Sequence, residues 1–142
     1  SPDGARWAPA KLPSGLATGP LTEVAVHGDV LVAIGTGSAV LASADGGTTW
    51  TPQVLGADVT ATAVTATPNG FVVAASTSKG DGAVLASADG VTWSRLQVPG
   101  LSGPGDQRFT ALTSLDSAVI ATGTTSGARA ESPVLWRAPV PK

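Results

Sequence analysis

Ser43-Ala44-Asp45-Gly46-Gly47-Thr48-Thr49-Trp50 is the stretch that decides how this 142-residue chain folds. One residue shorter, it returns as Ser87-Ala88-Asp89-Gly90-Val91-Thr92-Trp93, and the chain opens on Ser1-Pro2-Asp3-Gly4-Ala5-Arg6-Trp7. Each copy holds Ser-x-Asp-Gly, with a Trp six or seven positions after the Ser. Asp followed by Gly makes a tight reversal, because the carboxylate accepts nearby backbone N–H groups while Gly takes a positive φ. A Trp just past the turn can lay its indole over the hairpin and bury a large apolar area. Apolar residues precede the two later copies, at Ala39 to Ala42 and Ala83 to Ala86, and Thr-rich stretches follow. That is strand, turn, strand.

Working outward, the spacing predicts three similar units. Ala5 to Lys11 reads as one strand after the first turn, followed by a Pro/Gly-rich loop, Leu12 to Pro20. Strands are then expected at Thr22 to Val26, Val30 to Ile34, Ala39 to Ala44 and Thr49 to Val54. In the first of these the alternation of Val24 and Val26 fits a half-buried strand. The second unit repeats the order at Thr60 to Ala66, Phe71 to Ala75, Ala83 to Ala88 and Thr92 to Val98. The third gives Phe109 to Thr113, Ala118 to Thr122 and Pro133 to Arg137. Trp7, Trp50, Trp93 and Trp136 lie 43 residues apart, yet only the first three belong to the repeated turn. Val134-Leu135-Trp136 aligns with Val40-Leu41-Ala42 and Val84-Leu85-Ala86, so Trp136 is expected where the other units carry Ala42 and Ala86.

The recurring stretch resembles the Asp-box, or BNR repeat, of sialidases, sortilin-type receptors, some xyloglucan-degrading glycosidases and a photosystem assembly factor. SADGGTTW matches the family pattern closely, and the other two copies are one residue short. The resemblance implies an all-β fold of β-propeller blades, with each box as the turn between a blade's third and fourth strands. It implies about three four-stranded antiparallel blades, an arc or half of a larger ring. Residues 1–142 form a single segment, with blades at about 22–54, 60–98 and 109–137 and a blade-completing strand at 5–11. Propellers typically close with four to eight blades. An open arc would expose apolar end faces, which monomers rarely tolerate above a few hundred Å². The expected partners are therefore the remaining blades of a longer chain or a second copy of this one. With no Met, the chain is expected to be a processed product or an excised piece. The resemblance also implies a secreted or extracytoplasmic location.

Composition excludes several function classes. Charged residues make up 13% and the net charge is -2, so there is no electrostatic footprint for nucleic acid. No apolar run is long enough to span a membrane as a helix. Without Cys, and with a single His27 beside a turn glycine, thiol chemistry and a transition-metal site are not expected. No cofactor is implied. Gly35-Thr36-Gly37-Ser38 is only superficially a phosphate loop, since no helix and no suitably placed Lys follow it.

Catalysis is tested by subtraction. The resemblance implies a Tyr nucleophile for a sialidase, and the chain has no Tyr. A glycosidase needs two carboxylates flanking the bond. Asp3, Asp45 and Asp89 are committed to the repeated turns, and Asp29 and Asp116 to others. Glu23, Asp58, Asp81, Asp106 and Glu131 remain, with no spacing that marks a pair. The expectation is thus a non-catalytic recognition or scaffolding module that binds a protein or glycan. The alternative is a portion of a larger glycan-processing enzyme whose catalytic residues lie in other blades. Binding residues are expected on the variable loops opposite the boxes. Lys79, Asp81, Asp106, Arg108, Arg129 and Glu131 are the candidates there. Trp136 is a further candidate, as a ring for a sugar to stack on, against the plainer reading of a core substitution.

Overall fold

Eleven strands and no helix make up the regular structure in the computed structural model, which describes residues 1, 3–14, 19–36, 40–127 and 130–142. Sheet 1 has the order β1 (Leu21–His27), β2 (Val30–Gly35), β3 (Val40–Ser43) and β4 (Thr51–Gln53). Sheet 2 repeats it with β5 (Val59–Thr67), β6 (Gly70–Thr77), β7 (Gly82–Ser87) and β8 (Ser94–Leu96). Sheet 3 has three strands, β9 (Asp106–Leu115), β10 (Ala118–Ser126) and β11 (Glu131–Pro139). All pairings within the sheets are antiparallel. Every strand expected from Thr22 onward has a counterpart at its place. The strand expected at 5–11 does not form. Lys11 makes one isolated parallel bridge to Thr49, and residues 6–10 have no ladder partner. A strand needs a neighbour's N–H and C=O groups, and among the described residues only Lys11 of that segment meets one.

The repetition extends to register. His27 pairs with Val30, Thr67 with Gly70 and Leu115 with Ala118, so the three leading hairpins superpose residue for residue. Each leading strand also skips one residue, Thr22, Thr62 or Thr110, as a bulge. A bulge leaves its extra residue outside the ladder. Here the Thr hydroxyl compensates by donating to the carbonyl of Ile34 (3.4 Å), Ala74 (3.1 Å) or Thr122 (3.2 Å), three equivalent positions. The sequences Leu21-Thr22-Glu23-Val24, Ala61-Thr62-Ala63-Val64 and Phe109-Thr110-Ala111-Leu112 carry this device.

The sheets stack face on face. Between sheets 1 and 2, Ala25, Val32, Ile34 and Val40 meet Val64, Phe71, Val73 and Leu85. Between sheets 2 and 3, Ala63, Ala74 and Val84 meet Phe109, Leu112, Ala121 and Trp136. The middle sheet is therefore apolar on both faces, as its nearly continuous run Phe71-Val72-Val73-Ala74-Ala75 requires. Two polar contacts lock the leading strands together: the Val64 N–H donates to Glu23 Oε2 at 2.9 Å, and Ser114 Oγ donates to the Ala66 carbonyl. In β1 the buried residue is Ala25, while Val24 and Val26 point away from sheet 2 and stay exposed. The alternation locates the strand but does not say which of its faces has a neighbour.

All three Ser-x-Asp-Gly turns share one hydrogen-bond scheme. In the second, Ser43 Oγ donates to Asp45 at 2.8 Å and accepts from Gly47 N–H at 2.9 Å. Asp45 also accepts from the N–H and hydroxyl of Thr49, at 2.9 and 2.7 Å, and Trp50 Nε1 donates to the Gly47 carbonyl at 3.0 Å. Asp89 accepts from the N–H groups of Val91 and Thr92, and Trp93 Nε1 donates to the Gly90 carbonyl. Asp3 accepts from Ala5 and Arg6 N–H, and Trp7 Nε1 donates to the Gly4 carbonyl. Trp50 and Trp93 are half-buried, whereas Trp7 is 81% exposed. Its indole has no sheet to cover. The turn also seats on the leading hairpin, since Gly46 N–H donates to the Asp29 carbonyl at 3.1 Å. In sheet 2 the same seat leaves Gly70 (φ 124°) no room for a side chain, because a Cβ would come within 2.3 Å of the Ser87 carbonyl oxygen.

The bonds donated by the Thr49 and Thr92 N–H groups hold Asp45 and Asp89 at about 2, below their ordinary 3.8. Depressed carboxylates stabilise the folded state above the unfolded pKa and lose that contribution as pH falls through the folded one. The thermal midpoint is expected to be flat above pH 5 and to fall between about pH 4 and 2, with a smaller fall in Asp89→Asn, as followed by circular dichroism. Gly70→Ala is expected to cost about 1–3 kcal/mol in urea denaturation, through overpacking against the Ser87 carbonyl.

Candidate functional site

At the end of the sheets opposite the Ser-x-Asp-Gly turns, sheets 2 and 3 are tied to each other by backbone. Thr77, which ends β6, organises the reversal into β7. Its hydroxyl accepts from Lys79 N–H (3.3 Å) and Asp81 N–H (3.1 Å), its N–H donates to the Asp81 carbonyl (2.8 Å), and its own carbonyl accepts from Gly80 N–H (3.1 Å). The Gly80 carbonyl then accepts from Gln107 N–H at 2.7 Å, and Gly82 N–H donates to the Leu101 carbonyl at 3.0 Å. Gly80 (φ 87°) lets this happen. The Asp106 carboxylate occupies the space a Cβ would need, with Oδ1 2.1 Å from that position.

Across the same end of sheet 3, Asp106 lies opposite Ser126, and Ser126 lies opposite Glu131. Asp106 N–H donates to Ser126 Oγ at 3.2 Å. Two residues along, Arg108 lies opposite Thr124, which pairs with Pro133. Lys79, Asp106, Arg108 and Glu131 are exposed, and Asp81 is half-buried. Five of the seven candidates thus gather on one rim, from two sheets. The two flanking acids stand two strand spacings apart, about 9–10 Å at the backbone. That separation suits separate groups of an extended ligand better than one shared atom.

The other carboxylates have different employment. Glu23 holds the joint between sheets 1 and 2, and Asp58 pairs with Arg95 at 3.6 Å on the surface. Asp81, Asp106 and Glu131 are the candidate acids at this end of the sheets. Gln107, buried beside them, donates from Nε2 to the Gly105 carbonyl at 3.1 Å, while its Oε1 has no hydrogen-bond partner among the described residues. Gln107 and Ser126 belong to the rim by register, which the sequence signals only through their places beside Asp106 and at the end of β10. Among the described residues no group of three His, Cys, Asp or Glu side chains could hold a metal ion. Likewise no helix is long and apolar enough to cross a membrane.

Two candidates are not on this rim. Arg129 lies outside the described residues. Trp136 sits between sheets 2 and 3, edge-on to Phe109 with ring centroids 4.8 Å apart. It also takes a different place in the repeat from the one its alignment suggested. Trp136 pairs with Ala121, as Leu41 pairs with Ala33 and Leu85 with Val73, whereas Arg137 holds the position of Ala42 and Ala86. The one-residue offset turns the indole into the inter-sheet core, because successive side chains alternate faces. It is a packing residue, lining an apolar crevice with Val84, Val98 and Pro141.

No family model matches this chain, and no curated protein matches it. Trp136→Ala is expected to cost about 3 kcal/mol in chemical denaturation, the low end for truncating a core aromatic, because the ring is only half-buried.

Proposed function

We propose that this chain is a run of Asp-box propeller blades acting as a non-catalytic recognition module, which binds a protein or glycan on the rim formed by Lys79, Asp81, Asp106, Arg108 and Glu131. The observation that carries this reading is the placement of those five residues at one end of two sheets, away from the repeated turns. Stacked sheets with backbone-pinned turns give a rigid base, and polar groups of both signs on such a base offer donors and acceptors at fixed separations. A hydroxyl-rich ligand would receive hydrogen bonds from Arg108 and Lys79 and donate to the carboxylates. The resemblance supports the propeller reading through three turns of one design and three leading hairpins in one register. The same resemblance supports placement outside the cytoplasm.

A glycan array probed with the 142-residue chain, followed by calorimetry on any hit, tests the reading. Asp106→Asn combined with Arg108→Ala is expected to weaken binding at least about tenfold, since a hydrogen bond to a charged group contributes about 1.5–3 kcal/mol. Binding that survives both substitutions would place the ligand elsewhere. A blank array turns the test to protein ligands.

A further inference from the structure

Beside the rim, between the end of sheet 2 and the loop that leads to sheet 3, lies a cavity of about 250 Å³. Asp81, Arg95, Gln97 and Ser102 stand in its walls, with Val98 and Leu101 among its apolar lining. Backbone hydrogen bonds hold those walls in place. The Thr77 hydroxyl accepts from Asp81 N–H at 3.1 Å, Gly82 N–H donates to the Leu101 carbonyl at 3.0 Å, and Ser78 N–H donates to the Asp58 carbonyl at 2.9 Å. The turn that carries Asp81 is thereby fixed to the loop before sheet 2 and to the loop before sheet 3. Stacking does not require these polar side chains. Arg95 pairs with Leu85 as Pro52 pairs with Leu41, so sheet 1 fills the same place with an uncharged residue. Two residues on, sheet 1 has Val54 where sheet 2 has Gln97.

Two opposite charges line the cavity without meeting. By the register of β7 and β8, Arg95 stands opposite Leu85, four residues along from Asp81, which is about 13 Å at the strand rise. Arg95 Nη1 lies 3.6 Å from Oδ2 of Asp58, which does not line the cavity, so the guanidinium already has a counter-charge. Asp81 has none. Its N–H and C=O are both used within the turn, but its carboxylate meets neither a hydrogen-bond donor nor a cation among the described residues. A half-buried carboxylate without a partner is costly, and a cation placed against it removes that cost. The uncompensated charge of the cavity is therefore negative. Gln97 and Ser102 add an amide oxygen and a hydroxyl, both without a partner among the described residues. One carboxylate, one amide and one hydroxyl are too few for Ca²⁺, which takes about six to eight oxygens. A primary ammonium, in contrast, has an N–H for each of the three groups. Leu101, which is buried, and Val98 offer the apolar surface on which methylene groups lie.

We infer that this cavity receives a primary ammonium on an alkyl stem, the group presented by a lysine side chain or a free diamine. The ammonium donates to the Asp81 carboxylate and to the oxygens of Gln97 and Ser102, while the stem lies along Val98 and Leu101. At the far end Arg95 uses only Nη1 on Asp58, so its other N–H groups are open to an acceptor. A carbonyl behind the stem is favoured there over a second ammonium, which Arg95 repels. The lysine side chain of a peptide is thus the better fit of the two. Only Asp81 is shared with the rim, and simple amines test the cavity without the rim's ligand.

Titration of the 142-residue chain with Nα-acetyl-lysine methylamide and with diaminopentane, followed by amide NMR, reads the site directly. Both probes are expected to move the signals of Asp81, Gly82, Leu101 and Ser102 saturably, the lysine compound at the lower concentration. The order of the two tells whether the stem belongs to a peptide or to a free amine. The Nε-acetylated lysine compound, which keeps the stem and loses the charge, is expected to leave the signals in place. Asp81→Asn removes a carboxylate that has no bond within the fold to lose, and is expected to weaken binding at least about tenfold. Gln97→Lys, at an exposed position, is expected to abolish binding by setting a cation of the chain's own beside Asp81. Absent or unsaturable shifts, an equal response to the acetylated compound, or binding unchanged in Asp81→Asn and Gln97→Lys would overturn the inference.

Discussion

A sheet that is apolar on both faces cannot stand alone in water, and that constraint organises this protein. Sheet 2 satisfies it within the chain, with Phe71, Val73 and Leu85 against sheet 1 and Ala74 and Val84 against sheet 3. Burying a Val or Phe side chain contributes about 1.5–3 kcal/mol, so a cluster that holds Val32, Ile34, Val64, Phe71, Val73 and Leu85 outweighs any single polar contact. The hydrogen bonds from Val64 N–H to Glu23 and from Ser114 to Ala66 have another role. They set the angle and offset at which neighbouring leading strands meet, because apolar contact alone is non-directional.

Local chemistry supplies what stacking cannot. The Ser-x-Asp-Gly turn satisfies its backbone N–H groups with its own side chains, so the reversal needs no partner to be stable. The bulge threonines do the same for the leading strands. With these two devices repeated, each sheet acquires the same outline, and equal outlines are what allow one joint to be reused. The recognition rim depends on this regularity in turn. Asp106 reaches the turn at Gly80 only because β9 starts at a fixed height beside β6 and β7.

Much of this was legible in the residues. Turn residues, apolar runs and their spacing locate the strands from β1 to β11, because most are bounded by Gly, Asp or Pro, the short β4 and β8 follow the Trp of a repeated turn, and none has a competing helical period. What escaped was the consequence of single-residue offsets. Trp136 was read one place out, since Val134-Leu135-Trp136 looks like Val40-Leu41-Ala42, while the ladder matches it to Leu41 and Leu85. The alternation of Val24 and Val26 fits a half-buried strand, but which of its faces is exposed depends on which face is covered. Residues 6–10 carry strand chemistry without a ladder partner among the described residues. On the rim, charge and loop position singled out Lys79, Asp81, Asp106, Arg108 and Glu131. That Ser126 stands between two acids and that Gln107 lies buried behind them are facts of pairing, visible only once the registers are known.

The first Ser-x-Asp-Gly turn keeps the Asp3 and Trp7 bonds of the others, although among the described residues no sheet surrounds it. A reversal that stabilises itself can be copied in a gene, along with the strands beside it, without retuning the host. Tandem duplication of such a segment would add a working layer at once, and later drift could reshape the opposite loops while the hinge stayed unchanged. The inheritance of this architecture is thereby uncoupled from the inheritance of whatever it binds.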